Sequence, residues 1–167
     1  MAGAAVFLFT QGDVRDLLKA SLTLLKDACM MAATDDGAAD VMVADSTFFG
    51  GTYCGDGLPF IIGLEPTYWE SRAVCGLVLP DDAMVVAAMT SSQESRQVLV
   101  EVSRFLAVSL NAHVNVGTQE PLVCVTGCCL LAATATECSA DYPYYEYILT
   151  PEWMAAHADD LIPVLAK

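Results

Sequence analysis

The stretch VFLFTQGDVRDLLKASLTLLKDACMMAATDDG, residues 6–37, contains the pattern from which the fold is predicted. It overlaps the apolar run Ala5–Phe9, and continuous hydrophobicity over a few residues is typical of a buried strand. Residues 13–26 predict a helix, because an aspartate that can cap the first turn is followed by apolar residues at helical spacing. A second strand is predicted over residues 29–33 and a turn over residues 35–37. The stretch therefore indicates a strand, a helix and a second strand in that order.

The same pattern occurs again in the second half of the chain. A strand over residues 84–89 precedes a helix that ends near Leu110, and Ser91 with Glu94 has the spacing of a capping box at the start of this helix. Further strands are predicted over residues 40–44, 47–54 and 59–64 in the first half, and over residues 113–116, 122–125, 130–136 and Tyr144–Leu149 in the second.

The predicted fold class is α+β, with two βαβββ repeats that form one domain and place two helices on one face of antiparallel sheets. The first repeat covers about residues 4–64, a connector covers about residues 65–80, and the second repeat covers about residues 81–150. A C-terminal helix or tail follows over residues 151–167, since Thr150 before a proline is a favourable helix start. At 167 residues the chain is long enough for a single domain with its own core.

The chain is strongly acidic but rich in core-forming residues. It carries 21 acidic and 7 basic residues, a formal net charge of −14, and 55% of its residues are hydrophobic. A disordered acidic tail lacks that many apolar residues, so a folded domain is expected. No apolar run predicts a membrane span, and the first ten residues lack the basic flank and small-residue site of a signal peptide. We therefore expect an intracellular protein that is not secreted, nuclear if its source is eukaryotic or viral, with no membrane partner.

The seven cysteines form no CxxC pair and occupy positions 29, 54, 75, 124, 128, 129 and 138. In an intracellular protein we expect these thiols to be reduced and to act as small apolar side chains. With only His113 and His157 as histidines, the ligand spacings of a zinc site are missing, so no metal and no cofactor are predicted. A Cys–His dyad with either histidine stays open as an alternative, but no sequence feature marks one thiol as activated. The prediction is that the protein is not an enzyme.

Basic residues are concentrated on the two predicted helices, which carry five of the seven: Arg15, Lys19, Lys26, Arg96 and Arg104. At about 100° per residue, Lys19 and Lys26 lie within about 40° of Arg15, so the three form one stripe that faces away from the apolar side. Arg96 and Arg104 likewise lie away from the apolar side of the second helix. Solvated helix faces normally carry lysine and arginine, which is the alternative explanation. Acidic residues mostly avoid these faces, however, and one positive surface on a negative body favours weak, sequence-independent contact with a DNA backbone.

Three stretches resemble the DNA sliding clamps, the family of proliferating cell nuclear antigen and the heterotrimeric checkpoint clamp. Residues 6–37 are similar to the first strand, first inner helix and second strand of that family. HVNVGTQEPLVCVTG, residues 113–127, is similar to a late strand pair, and YYEYILTPEW, residues 144–153, is similar to the final strand. The resemblance implies a non-catalytic accessory and processivity factor of DNA replication or repair, whose five helix cations face DNA.

The resemblance also implies protein partners. Polymerases or other replication and repair proteins would dock between the connector and the last strand, at a pocket formed by Tyr144, Tyr145, Tyr147, Ile148, Pro151 and Trp153. An aromatic strand that packs on its own sheet is the alternative for these residues. A nuclear clamp subunit resembles two such domains in tandem, whereas this chain has the length of one. A closed ring of six domains implies a homo- or hetero-oligomer, while a fragment or a reduced relative that encircles nothing stays open.

A different class of protein also fits the charge. An acidic protein-interaction module, such as a chaperone, an inhibitor or a viral factor, would bind the basic surface of a partner and no DNA. The two hypotheses differ in whether the basic helix face or the acidic remainder of the surface makes the contact.

Overall fold

A computed structural model describes residues 3–34, 37–69, 72–123, 125–134 and 144–166 of the chain. The strands are β1 (Ala5–Phe9), β2 (Met30–Ala33), β3 (Ala39–Asp45), β4 (Cys54–Pro66), β5 (Ala73–Val74), β6 (Leu77–Val78), β7 (Asp82–Ala88), β8 (His113–Thr118), β9 (Cys128–Thr134) and β10 (Tyr144–Leu149). The helices are α1 (Val14–Leu25), α2 (Gln93–Leu110) and α3 (Pro151–His157), and two 3₁₀ helices cover Thr47–Phe49 and Ala158–Leu161. Among the described residues, no helix has the length and hydrophobicity needed to cross a membrane.

The described chain is built on one large sheet. Eight strands pair in the order β2-β3-β4-β7-β1-β8-β10-β9, and each neighbouring pair is antiparallel. β5 and β6 form a separate short hairpin. The apolar sides of α1 and α2 pack into one core on the same face of this sheet. The predicted α+β class, with helices on an antiparallel sheet, is therefore confirmed.

The two halves of the chain have the same order of elements in sequence but not in space. In sequence, β1, α1, β2, β3 and β4 are followed by the hairpin, and then by β7, α2, β8, β9 and β10. In space, β2, β3 and β4 lie side by side in that order, whereas β8 lies beside β1 and β10 lies between β8 and β9. The strand order of the second half thus differs from that of the first.

The caps of α1 and α3 follow from single residues. The Arg15 backbone N–H donates to Asp13 Oδ1 at 2.8 Å, which satisfies one of the unpaired amides at the start of α1. The Trp153 N–H donates to Thr150 Oγ1 at 3.2 Å, and Pro151 occupies the first position of α3. Both predicted helix starts are confirmed.

The start of α2 differs from the prediction by one residue. Ser92, rather than Ser91, is the N-cap, because its hydroxyl accepts from the Ser95 N–H at 3.0 Å. The predicted capping box of Ser91 and Glu94 is therefore wrong. At its other end α2 stops where Asn111 adopts a left-handed conformation, which asparagine tolerates better than most residues.

α2 is enclosed on two sides. Its inner side packs on the sheet, and its outer side is covered by α3, by Ala158–Leu161 and by Thr47–Phe49. Nine of its 18 residues are buried, compared with four of the 12 in α1. The prediction of a strand over residues 47–54 is wrong, because a 3₁₀ turn ends there at Gly50, whose φ of +79° suits glycine.

The opposite face of the sheet carries a strap, by which we mean residues 67–69 and 72–80 with the hairpin of β5 and β6. Leu79 of the strap packs against Phe9 and Ile148 in a small second core. Trp69 Nε1 donates to the carbonyl of Pro80 at 2.8 Å, which holds the two ends of the strap together. The strap therefore covers the β1, β8 and β10 part of this face.

A disulfide bond joins the strap to β9. Cys75 is bonded to Cys129, with Cα atoms 6.8 Å apart, so the prediction that all cysteines are reduced is wrong for this pair. Spacing in the sequence did not reveal the pair because 54 positions separate the two residues. Cys29 and Cys54 are free thiols, while Cys124 and Cys138 lie outside the described residues.

The remaining predicted elements agree with the structure, with two exceptions. Residues 122, 123 and 125 form no strand; the Leu122 N–H instead donates to the Tyr147 hydroxyl at 2.9 Å. Residues 35 and 36 of the predicted turn and residues 135 and 136 of a predicted strand lie outside the described residues.

Candidate functional site

The basic stripe, which we define as Arg15, Lys19 and Lys26, lies on the solvent side of α1. All three side chains are exposed, as their helical spacing predicts, and within the described ranges none of them forms an ion pair. The opposite side of α1 is held in the core by Leu17, Leu18, Ser21 and Leu25. A cavity of about 300 Å³ beside the stripe is lined by Arg15, Leu18, Lys19, Leu22, Gly37 and Leu64.

The two α2 cations do not extend this stripe as predicted. The Arg104 side chain is only 24% exposed; its Nη1 lies 3.3 Å from Asp159 Oδ1, and its Nη2 donates to the Phe49 carbonyl at 3.4 Å. Arg96 is half-buried, and its Nε finds no hydrogen-bond acceptor among the described residues. Helical periodicity identifies the side of α2 that faces away from the sheet. It gives no information on α3 and the two 3₁₀ helices, which cover this side. The expectation of one exposed five-cation surface is therefore corrected to a stripe of three.

The predicted partner pocket is largely part of the protein's own core. Tyr147, Ile148, Pro151 and Trp153 are buried, Tyr145 is half-buried and Tyr144 is exposed. Along β10 the side chains alternate, and both faces of the sheet are covered here. Tyr147 packs under the helices, and Ile148 packs under the strap. The alternative of an aromatic strand packing on its own sheet is the one the structure supports.

A groove that the sequence did not predict lies at the β2 end of the sheet. It has a volume of about 600 Å³ and is predominantly apolar; it contains four methionines of the seven in the chain. Met30 is 66% exposed, which is unusual for so large an apolar side chain. We call it the methionine groove, and its lining residues are Met30, Met31, Ala32, Asp40, Val41, Met42, Pro59, Phe60 and Met89.

Register and side-chain alternation explain why these residues meet. Met30 pairs with Met42, which pairs with Pro59 on the next strand, so all three point away from the helix-covered core. The Met89 N–H donates to the Pro59 carbonyl at 2.9 Å, which places Met89 at the end of the same row. Gly57, at a φ of +110°, leaves room for Met42, because a Cβ at position 57 would touch the methionine side chain. Flexible thioether side chains suit a surface that adapts to another molecule.

Asp40 is the acidic residue of the groove. It pairs with Ala32 on β2, its side chain is exposed, and it forms no ion pair with any described residue. A carboxylate on an apolar floor is a specific acceptor for a cation, because little else in the groove competes for it.

The groove is bounded by an open sheet edge. β2 pairs with β3 on one side, and in the described part of the chain no strand pairs with its other side. The Thr34 N–H donates to the Ala38 carbonyl at 2.9 Å, and antiparallel pairs alternate between bonded and non-bonded residues. By that alternation, Met31 and Ala33 direct their backbone N–H and C=O groups away from β3, toward the open edge.

In the part of the chain that the structure describes, the titratable groups outside the groove form no reactive cluster. Burial raises the pKa of the Cys29 thiol to about 11, which keeps it protonated and unreactive at neutral pH. Burial lowers the pKa of His113, with the charge of Glu152 acting in the opposite direction, and its Nδ1 has no hydrogen-bond partner among the described residues. Within the described ranges no three histidine, cysteine or acidic side chains cluster at metal-binding distance.

Comparison with known proteins gives no match: no protein-family model, no curated protein and no solved structure matches the chain.

Proposed function

We propose that this protein is a non-catalytic interaction module that binds the basic surface of a protein partner through the methionine groove. The observation that carries the proposal is the coincidence of an apolar groove of about 600 Å³ with an unpaired sheet edge. Exposed apolar surface and an open edge both cost solubility in a protein that uses neither, so a binding role accounts for their presence together.

Charge specifies the kind of partner. The chain has a formal net charge of −14, and Asp40 supplies a negative group inside the groove. Such a field attracts basic protein segments, raises their association rate at low salt, and repels nucleic acid from most directions. An apolar segment that carries lysine or arginine is therefore the expected ligand.

The test uses two fluorescein-labelled basic peptides, one that favours an extended conformation and one that favours an amphipathic helix. Fluorescence polarisation is measured with the wild type and with Met30→Lys, which places a cation at the groove. Val78→Lys is the matched control, because Val78 is an exposed strand residue of the same accessibility, 67% against 66% for Met30. We expect at least one peptide to bind, with an affinity that falls with salt and falls about tenfold in Met30→Lys, and no loss in Val78→Lys. Equal binding by the two variants would refute the groove as the site.

A clamp-like role is the second candidate, and two observations favour it. α1 and α2 share one face of the sheet, as the resemblance to sliding clamps implies, and the basic stripe on α1 has no intramolecular ion pair among the described residues. In this proposal two clamp-like repeats form a domain that contacts a DNA backbone weakly and serves a polymerase or a repair protein as an oligomer. The enclosed α2 cations weaken the proposal.

Two measurements test the clamp-like candidate. DNA association followed by anisotropy should be abolished when Arg15, Lys19 and Lys26 are all changed to glutamate, with little loss of stability since all three are solvated. Light scattering should detect a stable oligomer, because a ring of such domains needs several chains. A strict monomer without DNA affinity would remove this candidate and leave the first intact.

A further inference from the structure

We infer, on the basis of the proposed function, that the partner binds as an extended segment that adds an antiparallel strand to β2 and places a cation over Asp40. This inference names the conformation and the residue pattern of the ligand. It can fail while the groove remains a binding site.

The backbone of β2 is protected as a sheet edge only by its short length of four residues. Natural edge strands carry lysine, proline, a bulge or an inward-pointing charge that prevents pairing with another chain. β2 reads Met-Met-Ala-Ala, its register with β3 is regular over four pairs, and it has none of these features. Its outward N–H and C=O groups, on Met31 and Ala33, therefore form a template of four hydrogen-bonding groups for a new strand.

Side chains on the groove face define the ligand's sequence pattern. The residue of an added strand opposite Ala32 lies two strand spacings, about 10 Å, from Asp40 on β3. Ala32 is too small to block the way, so a lysine or arginine at that position can extend over its methyl group to the carboxylate. A charged contact of this kind favours a cation over every other side chain.

The neighbouring position on the same face takes an apolar residue. The ligand residue opposite Met30 is two positions from the cation along an extended chain, and it contacts a row formed by Met30 and Met42. The recognised pattern is a cation and an apolar residue at positions i and i+2. Charge complementarity with Asp40 and the open edge together select this ligand over a second copy of this acidic chain, which would bring like charges together.

The direct test is a nine-residue peptide, Thr-Lys-Thr-Val-Thr-Lys-Thr-Val-Thr, labelled with fluorescein and measured by polarisation. Two derivatives carry backbone N-methyl groups, one on the inner threonines and the other on the lysines and valines. In an antiparallel pair, residues that lie opposite each other have their side chains on the same face of the sheet. The peptide residues that hydrogen-bond to Met31 and Ala33 therefore point away from the groove. In this peptide they are the threonines, because the lysines and valines face the groove. We expect threonine methylation to weaken binding at least tenfold and lysine–valine methylation to leave it within about twofold.

Protein variants test the same geometry from the other side. Ala33→Pro removes one outward N–H at an exposed position and is expected to weaken binding about tenfold, while Ala33→Thr keeps the N–H and serves as the control. Asp40→Asn should weaken binding by up to about fivefold and reduce its salt dependence, because Asp40 is exposed and is one charge of a strongly acidic protein. Circular dichroism and thermal melting of each variant check that the fold is retained.

The outcomes separate the two proposals. Binding that depends on Asp40 and Met30 but responds equally to both methylations, or prefers the helical peptide, overturns strand addition and leaves the groove's role intact. A loss on lysine–valine methylation alone overturns the antiparallel orientation. Absence of binding to both the extended and the helical peptide overturns strand addition and the proposed function together.

Discussion

Gly51→Ala should destabilise the protein through overlap with two side chains, those of Glu101 and Ser46. Glu101 of α2 is 4% exposed; its Oε1 accepts from Gln97 Nε2 at 2.9 Å, and its Oε2 has no hydrogen-bond partner among the described residues. Gly51 approaches this carboxylate so closely that a Cβ at position 51 would overlap both the carboxylate and the Ser46 hydroxyl. Neither side chain can move freely. Ser46 Oγ also accepts from the Tyr53 N–H at 2.9 Å, and the Glu101 carboxylate is held by its hydrogen bond from Gln97.

The magnitude follows from what must move. Overpacking by one methyl group costs about 1–3 kcal/mol. If the carboxylate rotates away, it also loses its bond to Gln97, and a hydrogen bond to a charged group contributes about 1.5–3 kcal/mol. We expect Gly51→Ala to lower the free energy of unfolding by roughly 3 kcal/mol, which for a domain of this size lowers Tm by about 6–12 °C.

The assay is urea unfolding of four proteins: the wild type, Gly51→Ala, Glu101→Ala and the double variant. Once the carboxylate has been removed, a methyl group at position 51 still meets the Ser46 hydroxyl, so Gly51→Ala should retain part of its cost in the Glu101→Ala background but cost clearly less there than in the wild type. An equal cost in both backgrounds would mean that the contact with Glu101 does not determine the effect, and would refute the reasoning.

Three further predictions concern the cysteines and the aromatic residues. Cys75→Ala removes a disulfide that closes a loop of about 54 residues, and under oxidising conditions it should lower the free energy of unfolding in urea by about 2–4 kcal/mol. Cys54→Ala, which replaces an exposed free thiol, should lower it by under about 1 kcal/mol. Equal losses in the two variants would contradict the bond. Trp153→Ala should cost about 3–5 kcal/mol because the ring is buried, and Tyr144→Ala should cost under about 1 kcal/mol because that ring is exposed. The reverse order in thermal melts would contradict the assignment of Trp153 to the core. Burial raises the pKa of Cys29 to about 11 in the folded state, against 9.0 in the unfolded chain, so the contribution of this thiol to stability is complete below pH 9 and is lost between about pH 9 and 11. Cys29→Ala should therefore flatten the curve of unfolding free energy against pH in that range. A curve that is the same in the variant and the wild type would exclude the effect.

Local patterns predicted most of the elements correctly. The apolar run of β1, the aspartate before α1 and the Thr-Pro pair before α3 each determine structure through their own neighbours, so they can be recognised without knowledge of the fold. The error over residues 47–54 has a local origin as well. Phe48 and Phe49 are apolar and aromatic, like strand residues, but two glycines follow them and allow a turn.

The candidate site could not be predicted in the same way, because it depends on how distant segments meet. Arg104 is enclosed by Asp159, which lies 55 positions away, and no helical periodicity contains that information. The methionine groove depends on the register between β2, β3 and β4 and on β2 being at the edge. In the sequence, Met30 and Met42 are typical of buried strand residues. The sequence did contain one indication that these strands are exposed. Ala32 and Ala33 are small and Asp40 is charged, whereas strands that are buried on both faces consist mainly of large apolar residues.

The enclosure of α2 limits which amino acids its positions can accept. A helix with one covered side can change its solvent-facing residues with little effect, whereas most positions of α2 contact either the sheet or the layer outside it. In a library of all single substitutions selected only for folding, residues 95–107 should be much less permissive than α1, whose outward positions should accept almost any side chain. Evolution or design could therefore alter the charge of α1 independently of the fold, but could change α2 only together with the segments that cover it.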